Sequence, residues 1–208
     1  YIGPVDGHNF KALEKALKKA KNYPETILVH VKTKKGHGYQ NSENDEIGTW
    51  HGVEPFDLNN GKSKKEKDAH MITFSQAFAD ALYQKMKEDQ KIHVISAAMI
   101  NGSSLQRIFN DFKNRSHDVG IAEEHAVCFA NGLALSQLKP VVSLYSTFMQ
   151  RAYDEINHDI ARINSSVVFL VDRAGIVGED GETHQGIYDI SFLYPLKNVT
   201  ILMPPKEF

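Results

Sequence analysis

The chain has 208 residues, of which 41% are hydrophobic and 24% are charged, so it is long enough to bury a sizeable core. Its net charge of −2 gives no electrostatic basis for binding nucleic acid or a membrane surface. The single cysteine, Cys128, excludes an intrachain disulfide and fits a reducing cytoplasm. No apolar run is long enough for a membrane span, and no signal peptide is recognisable.

The first 40 residues predict one helix and one strand. Residues 9–21 place apolar side chains at helical spacing and lysines toward the C-terminal end, where cations suit the helix dipole. Residues 26–32, TILVHVK, are a short β-branched run typical of a buried strand. The basic loop that follows, KKGHGY at 34–39, could attract anions, but its residues alone favour an ordinary solvated loop.

Residues 41–72 carry few periodic signals, and the charged run at 62–68 indicates a linker. Trp50 and His51 precede that run, and packing is the ordinary interpretation of such a pair. We therefore divide the chain into a first domain at 1–40, a linker at 41–72 and an α/β domain at 73–208.

In the α/β domain, Thr73 and Gln76 form a capping box in front of an amphipathic helix. Helices are also predicted over 105–112, 122–135 and 150–164. Strands are predicted over 92–97, 118–121, 141–145, 167–171 and 199–203. This alternation predicts a parallel sheet with helices on both faces and with all strand carboxyl ends at one edge.

Glu123 falls in the first turn of helix 122–135, just after a strand, where ligands bind in open α/β sheets. Apolar neighbours would make a carboxyl group there resist ionisation and serve as a proton donor or acceptor. Taken alone, Glu123 also fits a helix-start carboxylate that the dipole stabilises. We interpret Cys128, on the same helix, as a small core residue.

Two features favour a functional site. Strands 141–145 and 167–171 deliver Tyr145 and Arg173 to the same edge, and the loop 174–186 holds four glycines, three acids and His184. Each side chain also has an ordinary interpretation. Tyr145 could reach water, Arg151 could pair with a carboxylate of its own helix, Arg173 could pair with Asp172 or Asp189, and His184 could be a surface imidazole.

Several sequence words, taken together, resemble one family. DVGIAEEHAV, YSTFMQRAYDE and DRAGIVGEDGETHQG, with YIGPVDGH, KTKKGHGY and WHGVEPF, are similar to the 1-deoxy-D-xylulose-5-phosphate synthase family of transketolase-like thiamine-diphosphate enzymes. The resemblance covers most of the chain outside 57–70. It implies a thiamine-diphosphate-binding fold, with a pyrimidine-type domain preceded by the tail of a first, diphosphate-type domain.

The resemblance also implies a chemistry. Members of the family are transferases that decarboxylate pyruvate and join the remaining two carbons to glyceraldehyde 3-phosphate. The reaction opens the methylerythritol phosphate route to isoprenoids and also supplies thiamine and pyridoxal synthesis. Thiamine diphosphate and Mg²⁺ are the implied cofactors, and a cytoplasmic homodimer is the implied assembly.

The resemblance assigns roles to individual residues. Glu123 would be a catalytic residue that hydrogen-bonds the pyrimidine ring of the cofactor. His184 would be the second catalytic residue. Tyr39 and Phe148 would lie on the cofactor side. The residues expected near the substrates are Tyr145, Arg151, Arg173, Asp180, His184, His51 and Lys34.

Some family features are absent from the sequence. Glu124 stands where the family usually has Gln, which adds a negative charge beside Glu123. In the family, a GDG…N motif in the first domain holds Mg²⁺, and the first domain of this chain has no such motif. GEDG at 178–181 is not a substitute, because no Asn follows it at the required spacing. A third domain is also expected after Phe208. We therefore expect a piece of a longer protein that lacks the metal ligands and is inactive alone.

Three other interpretations remain open. The chain could belong to another transketolase-group enzyme that shares a Glu at a helix start. It could be a metal phosphohydrolase using the dyads His117–Asp118 and His158–Asp159. It could also be a non-catalytic dimerisation module, since helix 122–135 is apolar around much of its circumference.

Overall fold

The computed structural model describes residues 1–45, 50–64, 72–178 and 181–204, and the chain divides into two compact units, Tyr1–Asp68 and Ala69–Phe208.

The first unit is built on a parallel pair of short strands, β1 (Ile2–Asp6) and β2 (Val29–Lys32). Helix α1 (Phe10–Lys21) connects them, and it begins at Phe10 because the Asn9 side chain accepts a hydrogen bond from the Ala12 amide at 3.1 Å. A short helix, α2 (Gln40–Glu43), follows. The predicted helix is confirmed and the predicted strand 26–32 is shorter, whereas β1 was not predicted.

The second unit is a four-stranded parallel sheet with the strand order β4-β3-β5-β6. Its strands are β3 (Ile92–Ser96), β4 (Ser116–Asp118), β5 (Lys139–Tyr145) and β6 (Val168–Asp172). Its helices are α3 (Phe74–Glu88), α4 (Gln106–Asp111), α5 (Glu123–Leu135), α6 (Ser146–Met149), α7 (Tyr153–Glu155) and α8 (Asp189–Leu193).

Two apolar clusters cover the two faces of the sheet. Ile95 packs with α5 and with the helical segment after β5, whereas the preceding residue, Val94, packs with α3 and α4. On β5, Val142 and Val141 alternate in the same way. Successive side chains of a strand point to opposite faces, so these near-continuous apolar runs fill both layers. The predicted parallel sheet with helices on both faces is confirmed.

The start of α3 is fixed by half of the predicted capping box. Thr73 Oγ1 accepts a hydrogen bond from the Gln76 amide at 3.1 Å. The Gln76 side chain instead donates to Asp80 at 3.0 Å, one turn further along the helix.

β4 ends earlier than predicted. The strand stops at Asp118, whose side chain accepts hydrogen bonds from the amides of Ala98 and Gly120 at 2.9 and 3.0 Å. Gly120 has φ +71°, a left-handed conformation that a strand cannot hold, and the chain turns there into α5. The turn therefore comes from a carboxylate that binds two backbone donors.

Three further predictions are wrong. The helix over 150–164 is not a regular α-helix: a 3₁₀ turn at Gln150–Ala152 leads into α7, and a π-helical turn follows at Ile156–Ala161. Residues 199–203 form no strand, because nothing in the described part of the chain pairs with them. Cys128 is exposed, on a different face of α5 from the buried Ala126 and Ala130.

Burial and a neighbouring carboxylate together determine the state of the Cys128 thiol. Its Sγ lies 3.5 Å from Asp159 Oδ2, and partial loss of solvent, followed by the hydrogen bond to Asp159 and the charge of that carboxylate, raises the pKa of the thiol. The thiol is therefore held in its less reactive, protonated form.

Two half-buried histidines link β3 and β4. His93 Nδ1 and His117 Nε2 lie 3.1 Å apart with nearly coplanar rings, the arrangement of an N–H···N hydrogen bond that needs at least one neutral ring. Burial lowers the pKa of both rings, and the neighbouring Arg115 further lowers that of His93.

We predict that the unfolding midpoint in urea falls as the pH is lowered below about 6.5, the pKa of an unperturbed histidine. The sign follows from linkage: between the lowered folded pKa and the unfolded pKa, the unfolded chain binds more protons. Circular dichroism at pH 7.5 and 5.5 measures the effect, and H93Q/H117Q should show a smaller midpoint change than the control H125Q, which alters an exposed histidine. Equal changes in both variants would contradict the role of the pair.

Candidate functional site at the carboxyl edge of the sheet

Parallel strands bring distant residues to one edge. Tyr145 is the last residue of β5 and pairs in register with Asp172, the last residue of β6. Glu123 opens α5 a few residues after the end of β4. Ligands bind outside the carboxyl ends of the strands in open sheets of this kind.

Glu123 is the most deeply buried acid at this edge among the described residues. The residue is 1% exposed, and its Oε2 lies 2.5 Å from Nη1 of Arg151, whose side chain is 48% exposed. Burying a carboxylate without a partner is costly, and the guanidinium provides one while keeping contact with solvent. Arg151 therefore pairs with Glu123 of α5 and not with a carboxylate of its own predicted helix.

A second group of side chains surrounds Tyr145. The residue is 8% exposed, so it does not reach into water. Its ring lies nearly parallel to Phe148 at 5.8 Å, and the guanidinium carbon of Arg173 lies 4.4 Å from the ring centroid. Arg173 has φ +56°, an unfavourable value for a residue with a side chain, and such strain concentrates at ligand sites.

His184 reaches this group from the loop 174–186. Its ring meets Phe148 edge-on at 5.3 Å, and its Nδ1 lies 2.7 Å from the Thr183 hydroxyl. The loop is closed at its base by paired backbone hydrogen bonds between Gly175 and Gly186 at 2.6 and 2.8 Å. Gln185 spans it, with hydrogen bonds to both the amide and the carbonyl of Val177. The loop is therefore internally bonded, and this fixes the position of His184.

Two acids at the same edge, one buried and one half-buried, accept hydrogen bonds from hydroxyl groups. Asp172 Oδ1 accepts from Ser75 at 2.7 Å, while the buried Oδ2 has no hydrogen-bond partner among the described residues. Asp189 accepts from Ser146 at 2.7 Å, and burial raises the pKa of Asp189 despite that hydrogen bond. Sequence reasoning did not assign Ser75 or the unpartnered oxygen of Asp172 any role, because a lone serine in a helix gives no signal.

The remaining predicted site residues with described positions lie in the first unit. The Tyr39 ring packs edge-on against Trp50 at 5.0 Å, and its hydroxyl donates to the Leu58 carbonyl at 3.0 Å. His51 is exposed, with Nδ1 3.5 Å from the Lys35 ammonium. Lys34 forms an ion pair with Glu43 at 2.6 Å, and this contact lowers the pKa of Glu43.

One predicted substrate residue, Asp180, lies outside the described residues. Within the described ranges, no cluster of three or more His, Cys, Asp or Glu side chains could hold a metal ion. Of the dyads considered for a phosphohydrolase, His117 bonds to His93 and Asp118 binds two backbone amides, whereas His158 and Asp159 bond to each other at 2.8 Å. No helix in the described part of the chain has both the length and the hydropathy to cross a membrane.

Comparison with known proteins bears on the same residues. The family described as the transketolase pyrimidine binding domain matches residues 70–207, and the family described as 1-deoxy-D-xylulose-5-phosphate synthase matches residues 1–33. Curated 1-deoxy-D-xylulose-5-phosphate synthases from Lysinibacillus sphaericus and Clostridium tetani are each 50% identical to the chain. Those matches cover 100% and 98% of this chain and 32% of each relative, so the chain spans about a third of their length.

Solved structures show the same fold. A split-gene transketolase, described as an inactive β4 tetramer, is 27% identical with a TM-score of 0.52, over 59% of this chain and 40% of its own. A Pichia stipitis transketolase in complex with sedoheptulose 7-phosphate is 18% identical with a TM-score of 0.56, over 64% of this chain and 22% of its own. At that identity the likeness concerns the fold alone.

The parallel sheet, the buried acid at its carboxyl edge and the match over residues 70–207 lead to one conclusion. The chain belongs to the transketolase pyrimidine-binding-domain family.

Proposed function

We propose that this chain is the pyrimidine-binding part of a 1-deoxy-D-xylulose-5-phosphate synthase, a thiamine-diphosphate-dependent transferase that acts on pyruvate and glyceraldehyde 3-phosphate. The observation that carries the proposal is the buried carboxyl of Glu123, 1% exposed, at the carboxyl edge of the sheet. The 50% identity to curated synthases supports this activity within the family.

The residues at the edge fit the pyrimidine end of thiamine diphosphate. That end needs a dry carboxyl group, and Glu123 supplies one, since it is 1% exposed and precedes the fully buried Ala126 and Val127 on α5. When bound, the cofactor supplies a nucleophilic carbon and an electron sink. Glu123 would hold a proton at a ring nitrogen of the cofactor, and Phe148 would pack beside it.

Arg151 could serve both as the partner of Glu123 and as a ligand for a substrate anion. Its guanidinium neutralises the carboxylate in this structure, and its half-exposed side chain leaves it able to turn toward a bound anion. Pyruvate and glyceraldehyde 3-phosphate both carry anionic groups that a guanidinium binds well. We therefore assign Arg151 to the substrate side of the site, next to the acid.

Arg173, Tyr145 and His184 form the remainder of the proposed substrate pocket in this unit. Arg173 would bind the phosphate of glyceraldehyde 3-phosphate through its planar fork. His184 would hold or move a proton on the substrate, with Asp180 as its partner. Lys34, His51 and Tyr39 are proposed to serve the same reaction from the first unit.

Other parts of the proposal concern the whole protein. The first unit would be the tail of a diphosphate-type domain, with residues 41–72 as the linker and 73–208 as the pyrimidine-type domain. The proposal places the Mg²⁺ ligands outside this chain, as the family resemblance implies. We propose a cytoplasmic homodimer, consistent with the exposed apolar Leu135 on α5.

We predict that E123Q in the full-length enzyme lowers kcat by about 10²- to 10⁴-fold, because an amide cannot exchange the proton that the carboxyl handles. The rate of 1-deoxy-D-xylulose 5-phosphate formation from pyruvate and glyceraldehyde 3-phosphate is the measurement. The control E124Q changes the neighbouring acid in the same helical turn and should keep most of the activity. Full activity of E123Q would exclude this role.

We predict that R173Q raises the KM for glyceraldehyde 3-phosphate by about 10- to 100-fold, the loss expected for one charge-assisted hydrogen bond of about 1.5–3 kcal/mol. The KM for pyruvate should change little. R107Q is the matched control, because Arg107 also lies over a tyrosine ring, that of Tyr83, at 3.8 Å but on α4. An unchanged KM in R173Q would remove Arg173 from the phosphate site.

We predict that the 208-residue chain alone binds thiamine diphosphate and Mg²⁺ weakly and does not turn over, because the diphosphate and metal ligands are proposed to lie elsewhere. Isothermal titration of the isolated chain, next to the full-length enzyme, measures this. Submicromolar binding by the isolated chain would contradict the assignment of those ligands.

A further inference from the structure

Tyr145 lies against a loop whose residues have been given no role in the proposed function. The loop, residues 97–105, connects β3 to α4 and passes over the hydroxyl end of the Tyr145 ring. A Cβ methyl group at position 102, where the chain has Gly102, would overlap the Tyr145 hydroxyl oxygen and would lie 2.7 Å from ring carbon Cζ and 3.3 Å from Cε1. The ring therefore occupies the space that any side chain at position 102 would need.

The loop is tied down on both sides of Gly102. The Ser103 amide donates to the Met99 carbonyl at 3.0 Å, and the Leu105 amide donates to the Ile100 carbonyl at 2.9 Å. Gln106 Nε2 donates to the side chain of Asn101 at 2.8 Å. Gly102 is exposed, but Ser103 and Leu105 are fully buried and hydrogen-bonded, and they hold the backbone at 102 in place.

The Tyr145 ring in turn supports the proposed phosphate ligand. Arg173 lies over this ring at 4.4 Å, and Phe148 packs parallel to it at 5.8 Å. If the Tyr145 ring were displaced, the Arg173 guanidinium would lose the ring face against which it packs. Geometric errors of about 1 Å in a substrate site cost up to about 100-fold in rate.

We propose that Gly102 is a positioning residue for the phosphorylated acceptor: its lack of a side chain seats Tyr145, and Tyr145 seats Arg173. The proposal rests on the proposed function, in which Arg173 binds the phosphate. Gly102 thereby acts on the selectivity for a phosphorylated aldehyde over the same aldehyde without phosphate, and it does so without contacting either substrate.

The test is made in the full-length enzyme with G102A. We expect kcat/KM for glyceraldehyde 3-phosphate to fall by about 10- to 100-fold, whereas kcat/KM for unphosphorylated glyceraldehyde and the KM for pyruvate change by less than about threefold. A purely structural defect would lower both aldehyde activities by the same factor. The control S103A removes a buried hydroxyl that has no hydrogen-bond partner in the described ranges, and it should leave the ratio of the two activities unchanged.

A second variant covers the case in which G102A does not fold. G102A/Y145F lacks the hydroxyl oxygen, which is the atom that the new methyl group overlaps most, and leaves the approaches of 2.7 Å to ring carbon Cζ and 3.3 Å to Cε1. The ring then needs a smaller shift, so this variant should recover part of the lost preference for the phosphorylated aldehyde. Equal losses toward both aldehydes, no loss at all, or failure of both variants to fold would each overturn the role of Gly102. Wild-type enzyme that makes no product from pyruvate and glyceraldehyde 3-phosphate would instead overturn the proposed function itself.

Discussion

The ion pair between Glu123 and Arg151 is the contact on which the arrangement at the sheet edge depends. Glu123 is almost completely buried, and its contact with Nη1 of Arg151 at 2.5 Å supplies the compensation that a carboxylate in such a place requires. Arg151 comes from the 3₁₀ turn that follows β5, while Glu123 opens the helix that follows β4. The pair therefore joins two neighbouring crossover connections at their starts.

The parallel sheet explains why one edge collects so many polar groups. Each strand that runs through the apolar interior ends at the same side, so the first polar residues after the strands are neighbours in space. Tyr145 and Asp172 are directly opposed in register there. The faces of the sheet are filled by alternating valines and isoleucines, which leaves the edge as the place where polar side chains can lie together.

The backbone is irregular at several points along this edge. Arg173 has a left-handed conformation, a π-helical turn follows α7, and the loop 174–186 closes on itself through Gly175 and Gly186. Local conformations of this kind are maintained only where the surrounding packing holds them in place. Here the support comes from the rings of Tyr145 and Phe148 and from the hydrogen bonds between Gln185 and Val177.

The sequence by itself determined the α/β class, the capping of α3 by Thr73, and the arrival of Glu123, Tyr145 and Arg173 at one edge. These follow from periodicity, turn chemistry and strand order, which are local or depend only on the handedness of crossovers. The roles of the site residues remain predictions. The tertiary structure alone decided that Arg151 pairs with Glu123, because several acids were within reach along the chain.

The errors in prediction also concern features that only the tertiary structure decides. Residues 199–203 have the composition of a strand, but a strand exists only where a neighbour pairs with it. Cys128 lies on a mostly apolar helix, yet which face of that helix is covered depends on elements distant in sequence. The close approach of Gly102 to Tyr145 also joins residues that are far apart in the sequence. Side-chain partners at such separations are set by packing, and packing is decided only when the whole unit folds.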